Sequence, residues 1–202
     1  MNAADVFVVA DLALVRVVEQ VRADQWSRVL PPGFYTRKMS GATPTIRDLV
    51  AQHAYDDAWV PDMLAGRTMA EVGPGAFEGE LLGSDPRGNF KRIAGTACDA
   101  VSNVDDMSRV VHCSFGDYPV GEYLCQMNGW RALRAYELGE LVGVDATLPP
   151  ALWSALWEEF QPRAELWRAF GVFPAVIAVP ADAPVWQRVL GLAGRQPARA
   201  AV

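Results

Sequence analysis

The stretch GWRALRAYELGELVG, Gly129–Gly143, places Trp130, Arg134 and Glu137 at positions i, i+4 and i+7 of a segment rich in helix formers. This spacing puts the three side chains on one face of an α-helix. The same face is extended in both directions by Tyr123, Met127 and Leu141. We therefore expect a long helix whose core-facing side carries an arginine and a glutamate. Such an arginine needs a partner, because an unpaired charge in a protein interior is strongly destabilising.

The composition indicates one domain with a sizeable core. The chain has 202 residues, of which 51% are hydrophobic and seven are tryptophan. It has 18 Lys and Arg against 24 Asp and Glu, a formal net charge of −6, and no basic cluster. This balance argues against nucleic acid and anionic membranes as partners. The three cysteines lack CxxC spacing, and no signal peptide or membrane span is evident, so we expect a cytoplasmic protein with reduced thiols.

Apolar periodicity, prolines and glycines divide the chain into helices and connections. Helices are predicted over 4–29, 45–65, 85–104, 119–142, 148–171 and 183–194, with Pro162 kinking or splitting the fifth. Thr45 with Asp48 is a capping box, and Gly143 is a C-cap. A loop is expected over 30–44, and a frayed tail over 194–202. Short extended pieces are expected within 107–119, with Gly116-Asp117 as a turn, and within 172–180. The pattern predicts an all-α, single-domain protein: a four-helix bundle over about 4–143 and a C-terminal extension over about 148–195, containing additional helices and one short strand.

Several segments resemble one family. They are TIRDLVAQHAYDDAWVPDMLAGRTMAEVG, LLGSDP, VHCSFGDYPVGEYLCQM, AYELGELVGVD and VPADAP. In this order and spacing, over roughly 5–195, they resemble actinobacterial DinB-like proteins, the relatives of the N-terminal domain of mycothiol-dependent maleylpyruvate isomerase. The resemblance implies a DinB-like four-helix bundle that holds a divalent metal. In that family one His ligand of the metal comes from the second long helix, and an acidic residue and a His at i and i+4 come from the fourth.

The ligand positions that this resemblance implies hold poor metal ligands. They fall on Gln52, Trp130 and Arg134, and a fixed cation at the last position would repel a metal. His53 lies one residue further on, and one residue turns a helical side chain by about 100°, away from the bundle axis. His112, the other histidine, is interpreted as structural. We therefore predict no metal and no other cofactor.

Two interpretations of the polar stripe stay open. In one, Arg134 forms an internal ion pair with Asp56 or Glu137 that replaces the metal as a structural element. In the other, the stripe lines a small-molecule pocket, with Arg134, Asp56 and Glu137 as catalytic groups. The predicted substrate-binding residues are Gln52, Trp59, Tyr123, Met127 and Trp130. Asp57 and Asp62 are expected in solvent, and Trp153, Trp157 and Trp167 on the exterior of the bundle.

The leading functional hypothesis is a metal-independent enzyme of isomerase or cyclase type in a specialised-metabolite, or natural-product, pathway. Such a reaction needs mainly a shaped apolar pocket and one or two polar groups. The alternatives are a non-catalytic small-molecule binder or pathway partner, and a mycothiol-dependent isomerase or S-transferase. An enclosed pocket with charged walls favours an enzyme, and a filled bundle favours a binder. A small molecule is the expected partner, and a homodimer is the oligomeric state left open.

Overall fold

The computed structural model describes residues 1–32, 34 and 43–197. This part of the chain is mostly helical, with one small antiparallel hairpin. Its elements are α1 Ala3–Glu19, a 3-10 helix Ala23–Gln25, α2 Ile46–Leu64, α3 Met69–Val72, α4 Pro86–Ser102, β1 Val110–Cys113, β2 Gly116–Pro119, α5 Val120–Val142, α6 Pro150–Phe160, α7 Ala164–Ala169 and α8 Val185–Leu192. Most of the loop predicted over 30–44 and the end of the predicted tail, positions 33, 35–42 and 198–202, lie outside the described residues.

The four long helices α1, α2, α4 and α5, here called the four-helix core, pack in a fixed order. α1 lies against both α5 and α4, and α4 lies against α2. α2 and α5 have few close backbone approaches and meet mainly through their side chains. Long side chains on these two helices therefore decide what fills the space between them.

Local signals in the sequence set several helix ends as predicted. The side chains of Thr45 and Asp48 form the capping box that starts α2. α5 starts directly after Pro119 and ends at Gly143, which has a left-handed φ of 74°. Glycine adopts that conformation without the strain that a Cβ would cause.

The first predicted helix is too long. α1 ends at Glu19, and the chain then turns through the 3-10 helix beneath the C-terminus of α5. There Gln25 Nε2 donates to the Val142 carbonyl at 2.9 Å, and Arg28 Nη1 donates to the Leu141 carbonyl at 2.6 Å. Carbonyls at a helix end have no partner within the helix. Two side chains that the sequence assigns to a helix instead satisfy the end of another helix.

The extended segments also differ from their prediction. β1 and β2 pair in register Val110↔Pro119 to Cys113↔Gly116, so Gly116-Asp117 belongs to β2 and the turn lies at 114–115. His112 Nδ1 lies 2.8 Å from Asp117 Oδ1 across the hairpin, which fits the structural role predicted for His112. The strand predicted over 172–180 is wrong, because this segment has no regular secondary structure. Its prolines at 174 and 180 have no N–H to donate to a sheet.

The sequence predicts that Pro162 either kinks or splits the fifth helix, and in the structure the helix is split into α6 and α7. Gly129 brings α6 close to α5, since a Cβ at that position would lie 2.4 Å from the Phe160 ring. The three tryptophans of this segment lie on α6 and α7, outside the four-helix core, which agrees with the expectation that they pack on its exterior. Trp153 is buried. The rings of Trp157 and Trp167 are half-buried and pack against the core.

Glu159 on α6 gives a testable pH dependence. Burial raises its pKa from 4.5 to about 7, although Asn128 Nδ2 donates to its carboxyl at 2.8 Å and acts in the opposite direction. The folded protein therefore holds this proton more tightly than the unfolded chain. The contribution of this bound proton to the free energy of unfolding is fully present below pH 4.5 and is lost as the pH rises through about 7. The shift corresponds to about 3 kcal/mol at most.

We expect Glu159→Gln to flatten this part of the pH profile, because an amide does not titrate. The measurement is the free energy of urea unfolding of wild type and variant at about pH 5 and about pH 8. Glu158→Gln, on the exposed side of the same helix, is the matched control and should keep the wild-type slope. A Glu159→Gln slope equal to that of the control would contradict the assignment.

Among the described residues no helix is both long and apolar enough to cross a membrane.

Candidate functional site

The most buried line of α5 is displaced by one residue from the predicted stripe. This line consists of Leu124, Asn128, Arg131, Ala135, Leu138 and Val142. Each member follows a member of the predicted stripe, a rotation of about 100° around the helix. The expectation that the stripe is the core-facing side is therefore wrong in detail. Met127, Trp130 and Glu137 are half-buried beside that line, although Tyr123 and Arg134 are buried.

α2 shows the same displacement. Its most buried line consists of Ile46, Val50, His53, Asp57, Val60 and Leu64. Gln52 and Asp56 lie one position earlier and are half-buried. The sequence-based expectations for His53, turned away from the bundle axis, and for Asp57, in solvent, are both wrong. Asp62 is half-buried and paired with Arg67 at 2.7 Å.

A buried charged triad of Asp11, Asp57 and Arg131 occupies the centre of the four-helix core. The three side chains are all 0% exposed. Arg131 Nη2 donates to Asp57 Oδ1, and Arg131 Nε lies 3.5 Å from Asp11 Oδ1. The guanidinium also lies over the Phe7 ring at 4.2 Å. The triad thus joins α1, α2 and α5 through one cation.

The electrostatics of the triad favour one neutral carboxyl. Burial raises the pKa of Asp11 well above its ordinary value, and the charge of Asp57 raises it further. Burial also raises the pKa of Asp57, against the opposing effect of Arg131. Burial acts to lower the pKa of Arg131, but the two carboxyls outweigh it and the pKa is raised. Arg131 is therefore a permanent cation, and burial inclines both carboxyls of the pair to keep a proton.

A second group of polar side chains lies where α2 and α5 face each other. We call it the polar site and define it as Gln52, His53, Asp56, Trp130, Arg134 and Glu137. One ring contact joins the two helices here, because the His53 and Trp130 ring centroids are 5.7 Å apart. Asp56 is near enough to raise the pKa of Tyr123, although burial is the larger cause of that shift.

His53 is the member of this site that sequence reasoning assigned wrongly. Its side chain is buried, and neither ring nitrogen has a hydrogen-bond partner among the described residues. Burial lowers its pKa well below the ordinary value, and the nearby charges of Arg134 and Arg131 lower it further. The imidazole is therefore neutral at physiological pH, with one donor and one acceptor nitrogen.

Arg134 is held firmly but is not fully bonded. As predicted, it is buried and ion-paired: its Nη1 donates to Glu137 Oε2 at 2.6 Å. Its guanidinium lies over two rings, 4.3 Å from the centroid of Trp130 and 4.9 Å from that of Phe34. Its Nε has no hydrogen-bond partner within the described chain. Burial lowers the pKa of Arg134, whereas Glu137 acts to raise it.

The Glu137 carboxylate accepts hydrogen bonds from two arginines at this end of the site. Arg195 Nε donates to Glu137 Oε1 at 3.0 Å, while Arg134 binds the other oxygen. These three groups carry a formal net charge of +1, and Asp56 on α2 brings the charge of the site to zero, so the local positive charge is that of the Arg134 guanidinium itself, which favours an anionic or partly negative ligand atom there.

The other predicted residues divide along the helices. Gln52 Nε2 donates to Asp56 Oδ1 at 2.8 Å, so these two form a pair within α2. Trp59 lies about two helical turns from Gln52 and contacts the Phe77 ring edge-on at 4.9 Å. Two further predicted residues, Tyr123 and Met127, belong to the same hydrophobic cluster as Trp59. The structure thus brings Trp130, and not Trp59, against Arg134.

Among the described residues, two cavities lie away from the polar site. The larger, of about 650 Å³, adjoins the C-terminal half of α5, α6 and the start of α8. The smaller, of about 230 Å³, lies between α2 and α4, with Asp57 and Arg92 in its wall. No member of the polar site lines either cavity, so a cavity shared by Gln52, Asp56, Trp130, Arg134 and Glu137 stays a prediction.

The positions that the family resemblance assigns to metal ligands do not fit a divalent cation. Gln52 is hydrogen-bonded to Asp56, Trp130 lies over a guanidinium, and Arg134 is itself a cation. Within the described ranges no group of three His, Cys, Asp or Glu side chains is arranged to hold a metal. A site with this donor set attracts negative rather than positive ligand atoms.

Comparison of the chain with protein-family models, with curated proteins and with solved structures gave no match. Membership of the DinB-like family therefore stays a prediction.

Proposed function

We propose that the chain is a DinB-like bundle protein that acts as a metal-independent enzyme of isomerase or cyclase type. Its substrate is a small organic molecule of a specialised-metabolite pathway. The reaction takes place at the polar site between α2 and α5. The mechanism uses only side chains of this chain and moves a proton within one substrate molecule.

The observation that carries the proposal is a set of unpaired polar atoms. Both ring nitrogens of His53 and Nε of Arg134 are buried and lack partners among the described residues, and both side chains contact the half-buried Trp130 ring. Buried polar atoms in proteins are nearly always hydrogen-bonded, and exceptions often mark functional sites. A substrate oxygen is a suitable partner for Arg134, and the neutral His53 can accept or donate a second hydrogen bond.

The chemistry follows from these contacts. Arg134, held in place by Glu137 and two rings, stabilises the negative charge that develops on a carboxylate or enolate-like oxygen. Asp56 is the group that moves the proton. Trp130 holds the apolar part of the substrate against the guanidinium. No step requires an oxidant, a reductant or a second substrate.

A second candidate function is a non-catalytic small-molecule binder or pathway partner. The filled interior favours it, because the triad of Asp11, Asp57 and Arg131 occupies the centre of the four-helix core. A binder of this kind would use a surface cavity and leave its ligand unchanged.

An untargeted comparison of metabolites tests the choice between the two. A strain lacking the gene is compared with the wild-type strain and with the same deletion carrying the gene on a plasmid. Isomerisation or cyclisation predicts two compounds of equal mass and different retention time, of which one accumulates and the other disappears on deletion. No such pair, or a loss with no isomeric partner, would favour the binder.

We also expect the purified protein to hold no stoichiometric metal. Gln52, Trp130 and Arg134 stand at the three positions where the resemblance implies ligands. The measurement is elemental analysis after dialysis against trace zinc or nickel. About one metal per chain, lost on substitution of Gln52 or His53, would contradict the expectation.

A further inference from the structure

The cavity of about 650 Å³ at the end of the four-helix core has a well-defined wall. It lies between the last turns of α5, the α5–α6 connection, α6 and the start of α8. The connection is seated closely on α5, because a Cβ at Gly139 would lie 2.1 Å from the Cβ of Ala146, a lining residue. The Val144 amide donates to the Gly139 carbonyl at 3.0 Å, which fixes the start of this wall.

Aromatic rings form much of the surface of this cavity. Tyr136, Trp153 and Trp186 line it, together with the buried Leu148. The Tyr136 and Trp153 rings meet edge-on with centroids 6.0 Å apart. The volume is in the range that holds a drug-sized molecule, and a mainly apolar wall with a few polar groups is typical of ligand pockets.

The charges of the lining all have one sign. Glu140 and Asp145 contribute two exposed carboxylates, and none of the described lining residues is Lys, Arg or His. Thr147 donates two hydrogen bonds to Asp145 Oδ1, one from its hydroxyl at 2.6 Å and one from its backbone amide at 2.9 Å. These bonds lower the pKa of Asp145, so it is ionised at neutral pH. Carboxylates and aromatic faces both attract cations.

We propose that this cavity binds a small organic cation, an amine or ammonium group carried on an aromatic body. The aromatic body lies among Tyr136, Trp153 and Trp186, and the cation lies towards Glu140 and Asp145. The cavity shares no lining residue with the polar site, so this inference is independent of the enzymatic function proposed above.

Three related probes test the charge preference. They are 2-(2-naphthyl)ethylamine, the neutral 2-(2-naphthyl)ethanol and the anionic 3-(2-naphthyl)propanoate, titrated into the full chain by ligand-observed NMR. The amine is expected to bind about tenfold more tightly than the alcohol, and the anion most weakly. Equal affinities for the amine and the alcohol would overturn the proposal.

Variants place the probe in this cavity. Glu140→Gln combined with Asp145→Asn should weaken amine binding about tenfold and leave alcohol binding unchanged. Trp153→Leu should weaken both. Glu158→Gln, an exposed carboxylate outside the cavity, is the matched control and should bind the amine as wild type does. Circular dichroism checks that each variant is folded. Amine binding that is equal in the double variant and the Glu158→Gln control would overturn the assignment.

Discussion

Replacing Arg131 by Met is expected to lower the free energy of unfolding by about 3–5 kcal/mol, because it leaves Asp11 and Asp57 in the core without their cation. Both carboxyls are fully buried, and Arg131 is the basic group that they contact. Urea unfolding followed by circular dichroism measures the change.

A partly exposed ion pair provides the matched control. Arg163 Nη2 lies 2.6 Å from Glu122 Oε2, with the two side chains 25% and 36% exposed. Arg163→Met should therefore cost only about 0–1 kcal/mol. Adding Asp11→Leu and Asp57→Leu to Arg131→Met should recover most of the lost stability, since a well-packed apolar group can replace a buried ion pair. A cost for Arg131→Met no larger than that for Arg163→Met would show that the triad does not stabilise the core.

Arg134→Ala and Asp56→Asn are each expected to lower turnover by roughly a hundredfold or more if the proposed roles are chemical. The first removes the group that stabilises a developing oxyanion, and the second removes the group that moves the proton. The measurement is the rate at which purified variants convert the compound that accumulates in the deletion strain. Circular dichroism separates lost chemistry from lost stability.

Arg168→Ala is the control for this series, because that arginine binds the Pro174 and Leu192 carbonyls away from the polar site. It should keep the wild-type rate. If both site variants also keep that rate, the proposed roles are wrong. If only Trp130→Ala and Trp59→Ala slow the reaction, catalysis depends on shape, and Arg134 with Glu137 is a structural pair.

The order of the long helices and several of their ends follow from the sequence, because the signals are local. The capping box at Thr45 and the glycine at 143 act within one turn of the helix end that they define. The end of α1 depends instead on distant contacts, since Gln25 caps a helix more than a hundred residues away. No periodicity within residues 4–29 carries that information.

The polar residues show how small the error in a face assignment can be. The apolar residues Leu124, Ala135 and Leu138 mark the buried line of α5, and Arg131 lies on that line at the expected spacing. Trp130 and Arg134 belong to a neighbouring stripe that also contains large apolar residues, which makes the two lines hard to distinguish. On α2 the same shift of one residue means that Asp57 is buried, whereas the sequence analysis placed Asp56 in the interior. The ion pair of Arg134 with Glu137 was predictable because it lies within one helix.

Metal-independent isomerisation at the polar site is measured with purified wild-type protein, dialysed against EDTA, and an extract of the deletion strain. We expect the accumulated compound to be converted, at the same rate with and without added zinc, into a product of identical mass. Arg134→Ala should leave that compound unconverted over the same time. A product of different mass, or activity that is lost with EDTA and restored by zinc, would contradict a metal-independent isomerisation at this site.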